Sequence, residues 1–292
     1  VTILRDAPSG TPPQSVRVPI DRIALLAAPS LVYLALIYAL PLMLLLLQSF
    51  RDTDGAMSLA SYADFFADPY NREVLWRTLR VAFLTTLLSL LLAYPTAIAM
   101  NRASGPWLTF FLVAMVLPMS LGVVVKAFAW SILFRTNGAL NQAMQAIGLI
   151  DAPIRMLFTE TALVIGAANV FLPFMVLPIY AVLRQQDDAL QHAAASLGAS
   201  PFFRFFHVSL PLTLPGVVAG AAFVFSLSIS MYVIPSLIVG ETQQTMPMMI
   251  ARSFLYLRNE QLGSTISAVL LIVAIMVVLG SSWLAARLGA KE

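Results

Sequence analysis

Two histidines, two lysines and the 14 Asp and Glu residues are the main side chains from which this chain could build acid–base or metal chemistry, because it has no cysteine. Asp188 and His192 stand four apart, a spacing that places two side chains on one face of a helix, and a solvated contact accounts for the pair. His207 belongs to no H-E-x-x-H pair, and no G-x-S-x-G nucleophile elbow occurs. A G-x-x-x-x-G-K-[ST] phosphate loop is missing too, since the only lysines are Lys126 and Lys291. The expectation is a chain with no catalytic residue, no metal site and no cofactor of its own. Without Cys there are no disulfides or thiolate ligands. The formal charge of +3 comes from scattered basic residues that form no stripe, which argues against nucleic acid as a partner.

The elements that would carry any function lie in lipid. The chain has 292 residues, 60% of them hydrophobic and only 11% charged, with mean hydropathy +0.86. That balance predicts an all-α membrane protein with membrane lipid as its solvent. The uncharged run 23–47 would reach about 37 Å as helix, enough to cross a hydrocarbon core of about 30 Å. Further spans are predicted at 81–100, 107–133, 161–183, 210–235 and 263–286, giving six transmembrane helices and both termini on one side. The proline-bearing segment 1–22 reads as a flexible tail and 287–292 as a second short tail. Between the first two spans, aromatic residues including Tyr62, Phe65, Phe66, Tyr70 and Trp76 predict one or two short interfacial helices. The loop 134–158 should fold at the interface but outside the core. Pro173 and Pro178 inside the fourth span imply local bends. Basic residues near the spans are evenly divided between the two sides, so only Arg17 and Arg22 before the first span favour a cytoplasmic N-terminus.

One polar segment, 184–209, separates two apolar spans and still has helical propensity. A helix would end at Gly198, and a second would begin with Ser200 as N-cap and Pro201 at its first position. Phe202, Phe203, Phe205 and Phe206 follow, a density of aromatic surface that calls for a partner. The segment predicts a helix-turn-helix elbow.

This elbow resembles the cytoplasmic coupling motif of ABC importer permeases, written E-A-A, three residues, Gly, nine residues, I-x-L-P. Ala193 and Ala194 match the paired alanines, Gly198 the glycine, which Ala199 follows, Val208 the branched position, and Leu210 and Pro211 the final pair. His192 stands where the family usually has Glu, with Asp187 and Asp188 one turn earlier. The stretch from Arg80 to Met100, the Leu117-Pro118 region leading to Lys126-Ala127-Phe128-Ala129-Trp130, and Asn137-Gly138-Ala139-Leu140-Asn141 resemble the PotB-type permeases of polyamine importers. The resemblance implies a type I ABC importer permease fold in a bacterial inner membrane, with the elbow and both termini in the cytoplasm. It also implies a set of partners: an ATP-binding-cassette ATPase dimer that holds ATP and Mg, a second homologous permease subunit, and a periplasmic solute-binding protein. His192, Ala193, Ala194, Gly198, Ala199, Phe202, Phe203, Phe206, Val208, Leu210 and Pro211 would then form the ATPase-coupling surface.

For the pathway or gate the candidates are Lys126, Trp130, Glu160, Asn169, Tyr232, Glu241 and Tyr256. Lys126 falls inside the third predicted span, where a charge either snorkels to the boundary, finds an internal partner, or faces a wet path. A cationic polyamine such as spermidine or putrescine would want carboxylates and aromatic faces, whereas a lysine on the same path would suit phosphonate, iron or opine-like solutes. A secondary carrier or channel is the competing class, although no acidic relay lies in any predicted span.

Overall fold

The computed structural model describes residues 28–51 and 56–289. The chain divides after Leu47 into two units. In the first lies most of helix α1, Ala28–Ser49. It widens into a π turn at Ala35–Ala39, where the Leu40 N–H reaches the Ala35 carbonyl. Pro41 follows at once; its ring cannot donate a hydrogen bond and crowds the carbonyl four residues back, which the wider turn accommodates. The predicted tail 1–22, the start of the first span at 23–27, and 290–292 of the C-terminal tail lie outside the described residues.

The second unit begins with α2, Ala60–Ala67, and the 34-residue α3, Pro69–Arg102. Asp68 starts α3 by accepting the Tyr70 N–H at 2.9 Å, with Pro69 pre-set at the first position. The helix therefore extends well beyond the predicted 81–100, and only α2 stands alone among the expected interfacial helices. The predicted third span, 107–133, consists of two helices, α4 (Pro106–Ser120) and α5 (Val123–Leu133), bent by 100° at the break between them. Leu121 and Gly122 between them are extended, with ψ of 133° and 141°, and Pro118 just upstream removes a helical amide donor. A short helix α6, Ala139–Ala146, follows. Asn141 ties its loop together by donating to the carbonyls of Arg135 (3.2 Å) and Ile154 (3.0 Å) and accepting the Ile154 N–H. The loop is folded, and Phe134 at its start is fully buried and joins the main apolar cluster with Met156 and Leu157.

Helix α7, Glu160–Leu183, agrees closely with the fourth predicted span and is capped by Thr159, which accepts the Ala162 N–H. Next come α8, Asp188–Ser196, and α9, Pro201–Ser230. The predicted 210–235 span thus starts earlier and ends at Ser230, where Met231 turns extended. Helices α10 (Val233–Ile238), α11 (Met246–Leu255) and α12 (Glu260–Gly289) complete the order. Arg80, about three turns into α3, pairs with Glu160 at the start of α7, and Arg102 and Leu183 border one cavity at the ends of the two helices. These two helices are therefore parallel, so the chain between them must return; the bent pair α4–α5 carries that return. The end holding α8 is the elbow end, the other the loop end.

The core forms where α9 lies antiparallel against α3 and α7. Ala93, Ala97 and Met100 of α3, Ala167, Phe171, Met175 and Ile179 of α7, and Val224 of α9 are buried together. Tyr94 and Thr213 share a hydroxyl hydrogen bond of 2.8 Å across the α3–α9 contact. Gly216 and Gly220, a G-x-x-x-G pair, permit the close approach to α7: a Cβ on Gly216 would stand 2.8 Å from the Pro178 carbonyl oxygen, and one on Gly220 would stand 2.9 Å from Met175 Sδ. A second cluster, with Phe65, Val74, Met246, Met249, Ile266 and Val269, joins α2, α3, α11 and α12 toward the loop end. Outward-facing residues such as Phe83, Leu91, Phe110, Val113, Phe223 and Ile272 are exposed, as suits surfaces solvated by lipid.

Gly220→Leu should lower the thermal midpoint in detergent, at an overpacking cost of about 1–3 kcal/mol. Gly280→Leu is the control, since a Cβ at Gly280 meets nothing within 4 Å. Differential scanning of the purified chain checks the contrast, and equal midpoints would contradict the packing role.

Candidate functional site: the elbow and the loop-end polar groups

Two short backbone devices make the elbow. At the end of α8 the Ala199 N–H returns to the Ala194 carbonyl at 3.0 Å and the Gly198 N–H to the Ala195 carbonyl at 2.9 Å. This nested pair is a Schellman closure, which needs its second-last residue in the left-handed region. Gly198 supplies that conformation, with φ of 80°. Ser200 then opens α9 by accepting the Phe203 N–H at 3.2 Å, with Pro201 at the first position. The expected helix-turn-helix is present, except that its second arm is the beginning of a spanning helix.

That arm contains a π turn at Phe205–Ser209, closed by the Leu210 N–H on the Phe205 carbonyl, immediately before Pro211. It is the same solution as in α1, again before a Leu-Pro pair. Gln191 of α8 donates to Ser209 Oγ at 2.8 Å and pins the two arms together. Phe205 turns inward and meets Tyr94 edge-on, with centroids 5.5 Å apart. Phe202, Phe203 and Phe206 are exposed, as is Leu197 at the tip, which is 89% accessible. His192 and Ala193 are exposed on α8, while Ala194, Ala199, Val208 and Leu210 are half-buried. Of the four phenylalanines, then, three are free to touch a partner and one braces the bundle. His207 stacks on Phe203 at 4.0 Å.

The pathway candidates separate into three places. Trp130 donates its indole N–H to Asn169 Oδ1 at 3.1 Å, joining α5 to α7. Lys126 lies one turn before Trp130, half-buried in the first turns of α5 beyond the break, and forms no ion pair among the described residues. Lys126 thus lies past the 100° bend, in the second helix of the pair that forms the 107–133 run. Glu160 is held by Arg80, whose Nε donates to Oε1 at 2.8 Å while Nη2 meets the other oxygen. This carboxylate is therefore neutralised within the chain. Tyr232, Glu241 and Tyr256 come together with Arg252 and Gln244 around a loop-end cleft of about 160 Å³.

Arg80 and Arg252 were not foreseen as site residues, and nothing in the sequence could have shown that Arg80 reaches a carboxylate 80 positions away. Gly216 and Gly220 could have been found from their G-x-x-x-G spacing.

No protein-family model matches the chain. Comparison with individual proteins is informative. The chain is 32% identical over 245 residues to the spermidine/putrescine transport system permease protein PotB of Haemophilus influenzae, covering 82% of this chain and 85% of that one. It is 34% identical to the inner membrane ABC transporter permease protein YdcU of Escherichia coli, over 73% of this chain and 74% of that one. Among solved structures, a chain of a bacterial alginate ABC transporter in complex with its alginate-pentasaccharide-bound periplasmic protein superposes with a TM-score of 0.72 at 18% identity, covering 92% of this chain and 96% of that one.

In a double-mutant cycle, Arg80→Gln and Glu160→Gln should each destabilise the chain, with a coupling of up to about 1 kcal/mol, modest because the pair is partly exposed. Thermal unfolding of the four forms measures it, and strictly additive shifts would show that the pair does not interact.

Proposed function

Because the chain belongs to the PotB-type family of ABC transporter permeases, we propose that it is the translocation subunit of an ATP-driven importer for polyamines such as spermidine and putrescine. The observation that carries the mechanism is the elbow: a rigidly closed turn with exposed Leu197, Phe202, Phe203 and Phe206 whose second arm runs directly into α9. An ATP-binding-cassette ATPase dimer, which holds ATP and Mg, grips this apolar knob. Closure of that dimer moves α8. Gln191 and the continuous α9 then pass the displacement to the α3–α7–α9 core. Hydrolysis belongs to the partner; this chain supplies discrete packings between which the path alternates.

This reading places the elbow and both termini in the cytoplasm of a bacterial inner-membrane protein, with the loop end facing a periplasmic solute-binding protein. A second, homologous permease completes the path. Glu160 is a poor polyamine ligand, since Arg80 already satisfies it. Glu241 is the better one: its cleft adds the faces of Tyr232 and Tyr256, which attract ammonium groups. Arg252 on the same wall would space the cation toward Glu241. Among ABC cargoes, phosphonate, iron or opine-like solutes are the alternatives.

The test is reconstitution of this chain with its ATPase, sister permease and binding protein in liposomes. Uptake should require ATP and all partners, and spermidine or putrescine, not phosphonate, should stimulate hydrolysis. Flux through this chain alone would support a carrier or channel instead. Gly198→Trp, which forces a side chain into the left-handed position, should abolish uptake and ATPase assembly while leaving membrane insertion intact. Glu241→Gln should raise the half-saturating polyamine concentration about tenfold, corresponding to loss of about 1.4 kcal/mol; unchanged saturation would remove Glu241 from the path.

A further inference from the structure

At the elbow end, residues of α3, the end of α7, α8 and α9 line a cavity of about 280 Å³. Its polar wall carries the two guanidinium groups of Arg102 and Arg204, the amides of Asn101 and Gln186, and one carboxylate, Asp187. Two buried donors there have no hydrogen-bond partner among the described residues: Arg204 Nε and Gln186 Nε2. A buried donor left unmade is costly, more so when it is charged, so a ligand that accepts from both donors lining this cavity is favoured. Neither arginine has an ion-pair partner among the described residues. Asp187 is engaged elsewhere, accepting the Ala189 N–H at 2.8 Å as the cap of α8.

We propose that this cavity binds a phosphate group, carried by an anionic phospholipid headgroup or by free phosphate, which bridges Arg204 and Gln186 and draws in Arg102. The chemistry fits: two positive groups against one negative leave the wall cationic, and guanidinium forks match phosphate oxygens in geometry and charge. The volume is just below that of ordinary small-molecule pockets, which suits a small headgroup. The place fits as well, because Arg102 ends α3 and Leu183 ends α7, and basic pockets between helices at such boundaries suit phospholipid headgroups. Leu183 and Phe205 give the cavity an apolar side on which a glycerol backbone could lie. The anion ties together three elements, the foot of α3, the linker after α7 and the first turn of α9, and so stiffens the elbow where it joins the bundle. The proposal does not depend on which solute is moved.

The test uses the full chain, delipidated in detergent, with phosphatidylglycerol, phosphatidylcholine or inorganic phosphate added. Native mass spectrometry reads bound adducts and thermal unfolding reads stabilisation. Phosphatidylglycerol or inorganic phosphate should bind and raise the midpoint, phosphatidylcholine should do so far less, and whichever of the first two succeeds identifies the source. Arg204→Gln should weaken binding about tenfold. Should that variant fail to fold, Gln186→Leu, which keeps both arginines, should still weaken it several-fold. Asp187→Asn keeps a helix cap but removes the competing charge and should tighten binding. No adduct with either anionic probe, equal binding to all three variants, or weaker binding to Asp187→Asn would overturn the proposal.

Discussion

The approach of α9 to the backbone of α7 at Gly216 and Gly220 is the contact on which the remaining architecture depends. In lipid there is no hydrophobic gain from pressing one apolar helix against another, so association rests on close packing and shared polar contacts. Two glycines one turn apart let carbonyls, sulfur and methyls of α7 sit where side chains would otherwise stand. Tyr94 and Thr213 then close the same helix onto α3 with a hydroxyl bond. Without this three-helix contact the buried alanines of α3 and α7 would have nothing to lie against.

The same solvent explains where the helices bend. A backbone group freed inside a bilayer must be satisfied by the protein. Where a proline follows directly on Leu40 or Leu210, the chain keeps its helix by widening one turn to i→i−5 bonding. At Pro118 it breaks instead, and Leu121 and Gly122 redirect the chain through 100°. At the elbow the nested Schellman bonds consume the carbonyls that α8 would leave open, and Ser200 satisfies an amide at the start of α9. The elbow joins two such irregularities, the Gly198 turn and the π turn before Pro211.

Charge is used sparingly. Arg80 and Glu160 neutralise each other at the loop end, while Glu241 and Arg252 face a shared cleft with two tyrosines. Arg102 and Arg204 gather at the opposite end. The bundle between them is bare of paired ions among the described residues, as the cost of burying a charge in lipid requires.

Much of this was legible in the sequence because local causes produce it. Uncharged apolar runs long enough for a bilayer set the spanning helices, and Gly198, Ser200 and Pro201 set the elbow, since a left-handed closure and an N-cap each need particular residues at particular positions. The periodicity of an apolar helix says little about which face meets lipid. Only the tertiary structure therefore decided that Phe205 turns inward while Phe202, Phe203 and Phe206 turn out, that the 107–133 run is two helices, and that Glu160 is already paired. The inward turn of Phe205 and the pairing of Glu160 depend on groups brought together from distant parts of the chain, and sequence spacing carries no record of that distance.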